Sequence, residues 1–322
     1  MFNKNIISHI KGNLKTHGGK TSNSLNEELE AIEKLGVNII TVDDEQYPEN
    51  LKHIYDPPKV LYVKGGFKPE DCFNIAIVGT RRASLYGQQN AERFAAELAE
   101  RGFTITSGLA RGIDTLAHKG AIKRGGRTIA VLGCGIDIAY PPENKKLMEE
   151  IEKKGAIISE FPIGTPPLKY NFPIRNRIIS GLSMGVLVIE APEKSGALIT
   201  VSYALEQGRE VFSLPGRIDT PTSKGTLGLI KDGAKLVQTI DDILEELQSL
   251  PEKERKEHEK ENFDISGLTD EEKSVINVLS EEPMHIDEIK SNVDVSNISS
   301  ILLKLELKKA IRELPGKHYV RV

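Results

Sequence analysis

Between residues 74 and 245, short apolar runs alternate with longer stretches whose apolar positions recur every three or four residues. The short runs are apolar through their length, as strands covered on both faces should be. They predict strands at Ile75–Val78, Phe103–Thr106, Thr128–Leu132, Ala156–Ser159, Val186–Ile189 and Glu210–Ser213. The longer stretches predict helices at Gly87–Arg101, Gly112–Lys123, Glu143–Lys153, Pro173–Leu182 and Ala197–Gln207. Gly102, Gly125, Gly155 and Gly208 fall just past helix ends, where a left-handed cap is expected. Strict strand–helix alternation predicts an α/β fold with a doubly wound, mainly parallel sheet.

The flanks have weaker patterns. Leu25–Leu35 suits a short amphipathic helix and Val37–Val42 a strand. Tyr47–Val63 reads as a short helix, a rigid Pro57-Pro58 turn and an apolar strand. After Leu250 the run PEKERKEHEKEN is dense in mixed charge and nearly free of apolar residues, which reads as a solvated linker. Periodicity returns with Thr269–Leu279, His285–Ser291 and Ser296–Leu307 as helices, Thr269 and Glu272 forming a capping box. Ile311–Leu314 and His318–Val322 then read as a hairpin. Three helices and a hairpin describe a winged helix. The expected organisation is a short helical lead-in at 1–45, a main domain at 46–248, a charged linker at 249–265 and a winged-helix domain at 266–322.

Composition narrows the function. A net charge of −4 excludes a globally basic nucleic-acid binder but leaves room for a local basic groove. Cys72 and Cys134 lack metal-ligand spacing and fit a reducing compartment. No apolar stretch nears the roughly 20 residues of a membrane helix, and the N-terminus lacks an apolar signal core. A cytoplasmic protein without membrane contact is expected.

The chemistry should lie in the loops after the strands, where parallel sheets bind ligands. Gly79-Thr80-Arg81-Arg82-Ala83-Ser84 follows the first strand and opens a helix. Backbone N–H groups and two guanidinium groups there predict an anion site. The second loop, Ser107-Gly108-Leu109-Ala110-Arg111-Gly112, adds a cation at a neighbouring helix start. After the fourth strand, Lys169, Phe172, Arg175 and Arg177 interleave charge with an aromatic ring, as single-strand binding requires. On spacing alone, Phe172 as a core residue and the arginines as helix-surface residues fit as well. Asn176 between them reads as a residue that fixes a loop. Ser195, Gly196 and Thr200 open a further helix as amide and hydroxyl donors, or simply cap it. Arg82 is the weaker half of its pair, since one of two adjacent side chains usually faces away.

Other motifs are absent. Gly19-Lys20-Thr21 is no phosphate loop, because Leu14 stands where the first glycine is needed. A G-x-G-x-x-G fingerprint, a Ser-His-Asp set and a metal cluster are missing. Glu190 and Asp114 read as helix caps or arginine partners, and His118 as structural. No cofactor and no catalytic residue is expected.

Taken together, YPENLKHIYDPPKVLYVKG, AIVGTRRASLYG, SGLARGIDTLAH, AVLGCGIDIAYPPEN, SEFPIGTPPLKYNFPIRNRIISGLS, EAPEKSGALITVSYALEQGREVFSLPG and TSKGTLGLIKDGA resemble the DNA-processing family DprA/Smf across Tyr47–Asp242. The resemblance implies an extended Rossmann-like fold, a homodimer formed near Val211–Leu236 and sequence-independent single-stranded DNA binding. It also implies help in loading RecA recombinase during natural transformation. The family's G-[ST]-R turn and K-x-x-F segment fall on Gly79, Thr80, Arg81 and on Lys169, Phe172, which implies that Lys169 and Phe172 contact DNA. The C-terminal winged helix is equally open to duplex DNA or a protein contact. The helical N-terminal domain of many members is truncated or absent in the first 45 residues. A nucleotide-processing enzyme of the Lonely-Guy phosphoribohydrolase type is the alternative, but LPGRIDTPTSKGT lacks that family's PGGxGTxxE motif.

Overall fold

The architecture follows from strands buried on both faces, whose alternate side chains enter opposite layers. In the computed structural model, Ile75 and Ile77 pack into one layer, while Ala76 and Val78 pack into the opposite one. The structure describes residues 4–17, 24–247, 268–279, 284–293, 295, 297–308, 311–314 and 316–321. The charged linker expected at 249–265 lies outside them. Two compact units emerge, Met1–Pro251 and Glu252–Val322.

The first unit is built on one nine-stranded sheet. In chain order its elements are α1 (Lys4–His17), α2 (Leu25–Leu35), β1 (Asn38–Thr41), α3 (Glu49–Lys52), β2 (Val60–Gly65), β3 (Asn74–Val78), α4 (Leu85–Glu100), β4 (Thr104–Ser107), α5 (Ile113–Lys123), β5 (Thr128–Leu132), α6 (Lys145–Lys154), β6 (Ala156–Ser159), α7 (Asn171–Leu182), β7 (Gly185–Val188), α8 (Gly196–Glu206), β8 (Glu210–Ser213), α9 (Lys224–Lys231), β9 (Lys235–Leu236) and α10 (Asp241–Leu244). The strand order is β1-β2-β6-β5-β4-β3-β7-β8-β9. The pairs β1/β2 and β2/β6 are antiparallel and all others parallel. Helices α7 and α8 cover one face through Ile178, Ile179, Leu182, Val201 and Ala204. Helices α4 and α5 cover the other through Phe94, Ala95, Leu98, Ala117 and Ala121.

The residues before 46 do more than lead in. Asn38–Thr41 pairs with β2, and β2 extends the parallel sheet at β6. Val60, Leu61, Tyr62 and Val63 are completely buried, which an outlying hairpin would not achieve. Helices α1 and α2 close this end through Ile10 and Ile32, so the unit starts earlier than 46. One cap also differs from expectation. Gly102, Gly125 and Gly208 are left-handed at φ 92°, 73° and 66°, but Gly155 is extended at φ −159°. It is glycine because a Cβ there would run into the Thr128 carbonyl.

The second unit has helices Asp270–Val278, Ile286–Asn292 and Ile298–Leu307. Its three strands, Met284–His285, Ile311–Leu314 and His318–Arg321, have the last in the middle. Thr269 and Glu272 form the expected capping box. Val275, Ile276, Ile289, Leu302 and Leu305 make a core of their own, and the fold is a winged helix.

Topology places the functional crevice. The chain steps from β3 through β4 and β5 to β6, then returns to the other side of β3 as β7. The loops after β3 and β7 therefore diverge, and the space between them is where doubly wound sheets bind ligands.

Candidate nucleic-acid interface

The turn after β3 is locked between its two neighbours. Thr80 N–H donates to the Glu190 carbonyl at 2.7 Å, in the loop after β7. Ile113 N–H donates to the Thr80 carbonyl at 3.3 Å, from the start of α5. A Cβ on Gly79 would lie 2.6 Å from Ile113 Cγ1 and 2.8 Å from the Glu190 carbonyl. Gly112, at φ 74°, passes so close to the Thr80 carbonyl that no side chain fits. The first and second loops thus form one rigid ridge.

The backbone amides of that ridge are not the anion site the sequence suggested. At the N-terminus of α4, Glu190 accepts from Ser84 N–H at 2.9 Å and from Ser84 Oγ at 2.7 Å. Gly87 leaves the space its carboxylate fills. Ser84 itself caps Gly87 N–H, and Arg82 N–H donates to Thr80 Oγ1 at 3.2 Å. At α5, Asp114 accepts from Ala110 N–H at 3.3 Å. Burial raises the Asp114 carboxyl, against the charge of Arg175. Both helix starts already hold the chain's own carboxylates, so an external anion must be met by side chains.

Arg81 and Arg82 are the side chains free to do so. Both are exposed. Among the described residues neither guanidinium has a carboxylate or carbonyl partner. By contrast, Arg93, Arg111, Arg124, Arg127 and Arg217 pair with acids, and Arg209 donates to two carbonyls. Arg82 does not face away: both arginines line the crevice between the β3 and β7 loops. Arg81 also lies over the Phe172 ring, 5.5 Å from its centroid.

The crevice holds about 400 Å³. The structure brings Gly79, Thr80, Arg81, Arg82, Phe172, Arg175, Asn176, Ser195, Gly196 and Thr200 to its walls. Ser195 caps Ala197 N–H at 3.3 Å. A Cβ on Gly196 would meet nothing within 4 Å, so the start of α8 is open to the crevice. Asn176 donates to the Gly196 carbonyl at 3.2 Å, tying α7 to α8. Exposed Lys194 also lines this wall, which sequence reading missed although it directly precedes the Ser195 cap.

Other expected contacts are turned into the protein or lie outside the crevice. Ser107 is buried and donates to the Ile77 carbonyl at 2.6 Å. Gly108 gives room to Arg175, whose nearest nitrogen would sit 2.5 Å from a Cβ there. Arg175 is 4% exposed and donates to the carbonyls of Gly108 and Val131. Burial lowers it to about 10, so it is still a cation at neutral pH. Arg177 is 6% exposed and forms a two-pronged pair with Glu160 at 2.6 and 2.8 Å. It is a core residue and not part of the crevice wall. The reason is physical: a buried guanidinium without a partner is too costly, and these two bind their partners inside the protein. Arg111 bonds Glu143 at the mouth of a small slot. Lys169 is exposed, with no ion pair among the described residues.

Phe172 is half-buried. Its ring lies 5.6 Å from that of Tyr140, and Gly133 is glycine because a Cβ would come within 2.9 Å of it. The slot between them holds about 20 Å³. A water needs roughly 10–15 Å³, so the slot is closed to a base.

The remaining chemistry is structural. His118 is fully buried, and its Nδ1 lies 2.6 Å from Thr128 Oγ1, which donates to the Ile105 carbonyl. Burial lowers its pKa to about 3, so the ring is neutral. Among the described residues no group of three His, Cys, Asp or Glu could hold a metal. No helix among them is long and apolar enough to cross a membrane.

Residues 38–248 match the model of DNA recombination-mediator protein A, and residues 259–317 the DprA winged helix domain. The chain is 44% identical to Protein Smf of Escherichia coli over 306 residues, covering 93% of this chain and 81% of that one. It is 47% identical to the DNA processing protein DprA of Bacillus subtilis over 220 residues, 68% of this chain and 74% of the other. The structure of DNA processing protein A from Streptococcus pneumoniae superposes with a TM-score of 0.66 at 35% identity, covering 77% of this chain and all of that one. Helicobacter pylori DNA processing protein A, whose single-stranded DNA binding mode has been described structurally, gives 0.59 at 34% identity, over 65% and 94% of the two chains. The chain therefore belongs to the DNA recombination-mediator protein A family, DprA/Smf.

Proposed function

We propose that this chain binds single-stranded DNA without regard to sequence in the crevice between the β3 and β7 loops, and helps load RecA recombinase onto it. The observation that carries the reading is the pair of unpartnered, exposed guanidinium groups of Arg81 and Arg82 on a ridge beside an aromatic ring. Phosphates are met by those cations with Lys194 and Lys169. Bases are met by Phe172 once Arg81 turns to a phosphate, since every base offers a π-face. The reading is one of binding and not catalysis, because Glu190 and Asp114, the carboxylates of this region, hold backbone amides.

A homodimer through the far edge of the sheet belongs to the same proposal. Strand β9 ends the sheet, and the exposed Leu205 and Leu236 lie at that edge. Two crevices per dimer would raise avidity on long strands. The winged helix keeps two readings. Lys308 is tied to Glu272 at 2.8 Å, which leaves fewer cations for duplex DNA, while exposed Leu303 suits a protein contact.

The test is a mobility-shift titration of labelled oligo-dT with the Arg81→Ala, Lys169→Ala double variant. We expect binding to be largely lost with circular dichroism unchanged. Wild-type affinity in a folded double variant would refute this crevice as the DNA site.

A further inference from the structure

Three cavities meet at the Arg81-Arg82 ridge. Arg81 lines all of them, and Arg82 lines two. The first is the crevice already described, about 400 Å³. The second is the aromatic slot, about 20 Å³. The third lies on the far side of the ridge, between α4 and α5, and holds about 380 Å³. Sites for small ligands run to roughly 300–1,000 Å³, so the first and third have useful size and the slot does not.

A strand that fills the crevice and continues past Arg81 therefore meets a closed way and an open one. The open way has the right chemistry for a nucleotide. Arg82 lines it as it lines the crevice, without an ion-pair partner among the described residues. Gln88, exposed on α4, holds its amide 3.0 Å from the Ala83 carbonyl at the rim. Ala83 and Leu116 are half-buried and give a floor apolar enough for the face of a base. Gly112, glycine because of the Thr80 carbonyl, keeps the passage over the ridge low. Among the described residues no acidic side chain lines this groove.

We propose that the groove between α4 and α5 is a second nucleotide subsite, in which Arg82 binds the phosphodiester next to the one held by Arg81, so that bound single-stranded DNA crosses the ridge. This rests on the proposed function. It predicts that the site is longer than the crevice, and that groove substitutions matter only for strands long enough to cross.

Gln88 is the clean probe, because it lines the groove and not the crevice. Fluorescence polarisation with oligo-dT of about 4 and about 20 nucleotides would compare the wild type with Gln88→Glu and Gln88→Lys. We expect Gln88→Glu to weaken the long strand at least about threefold and leave the short one unchanged. Gln88→Lys should tighten the long strand and steepen its log-affinity against log-salt slope by ~0.7, the value of one added contact to a single strand. Equal effects at both lengths, or none at either with the wild type binding both, would overturn the second subsite and leave the crevice intact. A wild type that binds neither strand would overturn the proposed function and this inference with it. Thermal melting of each variant confirms folding, which substitution at an exposed helix position should not disturb.

Discussion

The chain carries two arginine pairs near the ends of its strands, Arg81-Arg82 and Arg175/Arg177, and it uses them in opposite ways. The first pair stands on a turn whose neighbours are glycines, carbonyls and small side chains. Its guanidinium groups face solvent because the local carboxylate, Glu190, is already held by Ser84 and by Thr222 at 3.0 Å. The second pair rides on α7, which crosses under the same loops. Its guanidinium groups are buried and bonded to two carbonyls in one case and to Glu160 in the other. What separates the two is the presence of an internal acceptor, not the residue type. A cation whose partners lie inside builds the site, and one without them is left to bind a ligand.

The sharpest way to break this comparison is Arg177→Ala. Glu160 is 4% exposed. Burial pushes its carboxyl up, but hydrogen bonds from His17 and Arg177 and their charges bring it below the ordinary value. His17 lies 3.6 Å away at the end of α1 and is charged only when protonated. Removing Arg177 strands a buried carboxylate, so unfolding free energy should fall by about 3–5 kcal/mol. Urea denaturation measures it. Arg177→Met with Glu160→Leu should recover most of the loss, because an apolar pair of similar volume leaves no charge behind. DNA affinity per folded molecule should stay at the wild-type value. A variant of full stability that fails to bind would instead place Arg177 in the interface.

This distinction was only half legible in the sequence. The strands, most helices and the post-strand ridge follow from local pattern, and β3 with the GTRRAS turn lies where periodicity predicts. The two N-terminal strands were recognisable as strands, but not as part of the main sheet. Their antiparallel pairing depends on contacts between β2 and β6, more than 90 residues apart. At the site, the motif identified the turn but not which groups on it are free. Glu190 reaches the amide and hydroxyl of Ser84 across 106 residues, and no spacing rule exposes that. The same holds for Arg175, because the carbonyls that bind it belong to Gly108 and Val131 on two other loops and strands. Lys194 was visible as a lysine before a helix cap, but nothing local says that its side of α8 faces the crevice.

His118 sharpens the comparison from another side. It is a third basic side chain buried near these loops, and Arg175 disfavours its protonation as burial does. Among the described residues no acid offsets its burial, so it gives up its proton where Arg175, with Asp114 nearby, does not. Its folded pKa of about 3 lies below the ordinary 6.5. Between those values the unfolded chain binds a proton that the native ring does not, so stability falls as pH falls. The contribution is complete above pH 6.5 and declines by up to about 1.4 kcal/mol per pH unit down to about pH 3. Melting His118→Gln beside the wild type at pH 7.5, 6 and 5 isolates it. The variant should show the shallower slope, and parallel slopes would mean that His118 is protonated in the fold.

The smallest effect on stability is expected from the first pair, and that is its signature. Arg81→Ala and Arg82→Ala remove exposed side chains that hold nothing together beyond the contact of Arg81 with the Phe172 ring. Each should change unfolding free energy by no more than about 0.5 kcal/mol. Each should also lower the slope of log affinity against log salt by ~0.7 on a long single strand, through one lost phosphate contact. The two readouts separate the roles of the pairs cleanly, because a structural arginine moves the first and leaves the second alone. A large loss of stability in Arg81→Ala would mean that its place over Phe172 supports the aromatic slot. The ridge would then be built like the core of α7, with its cation bound from within.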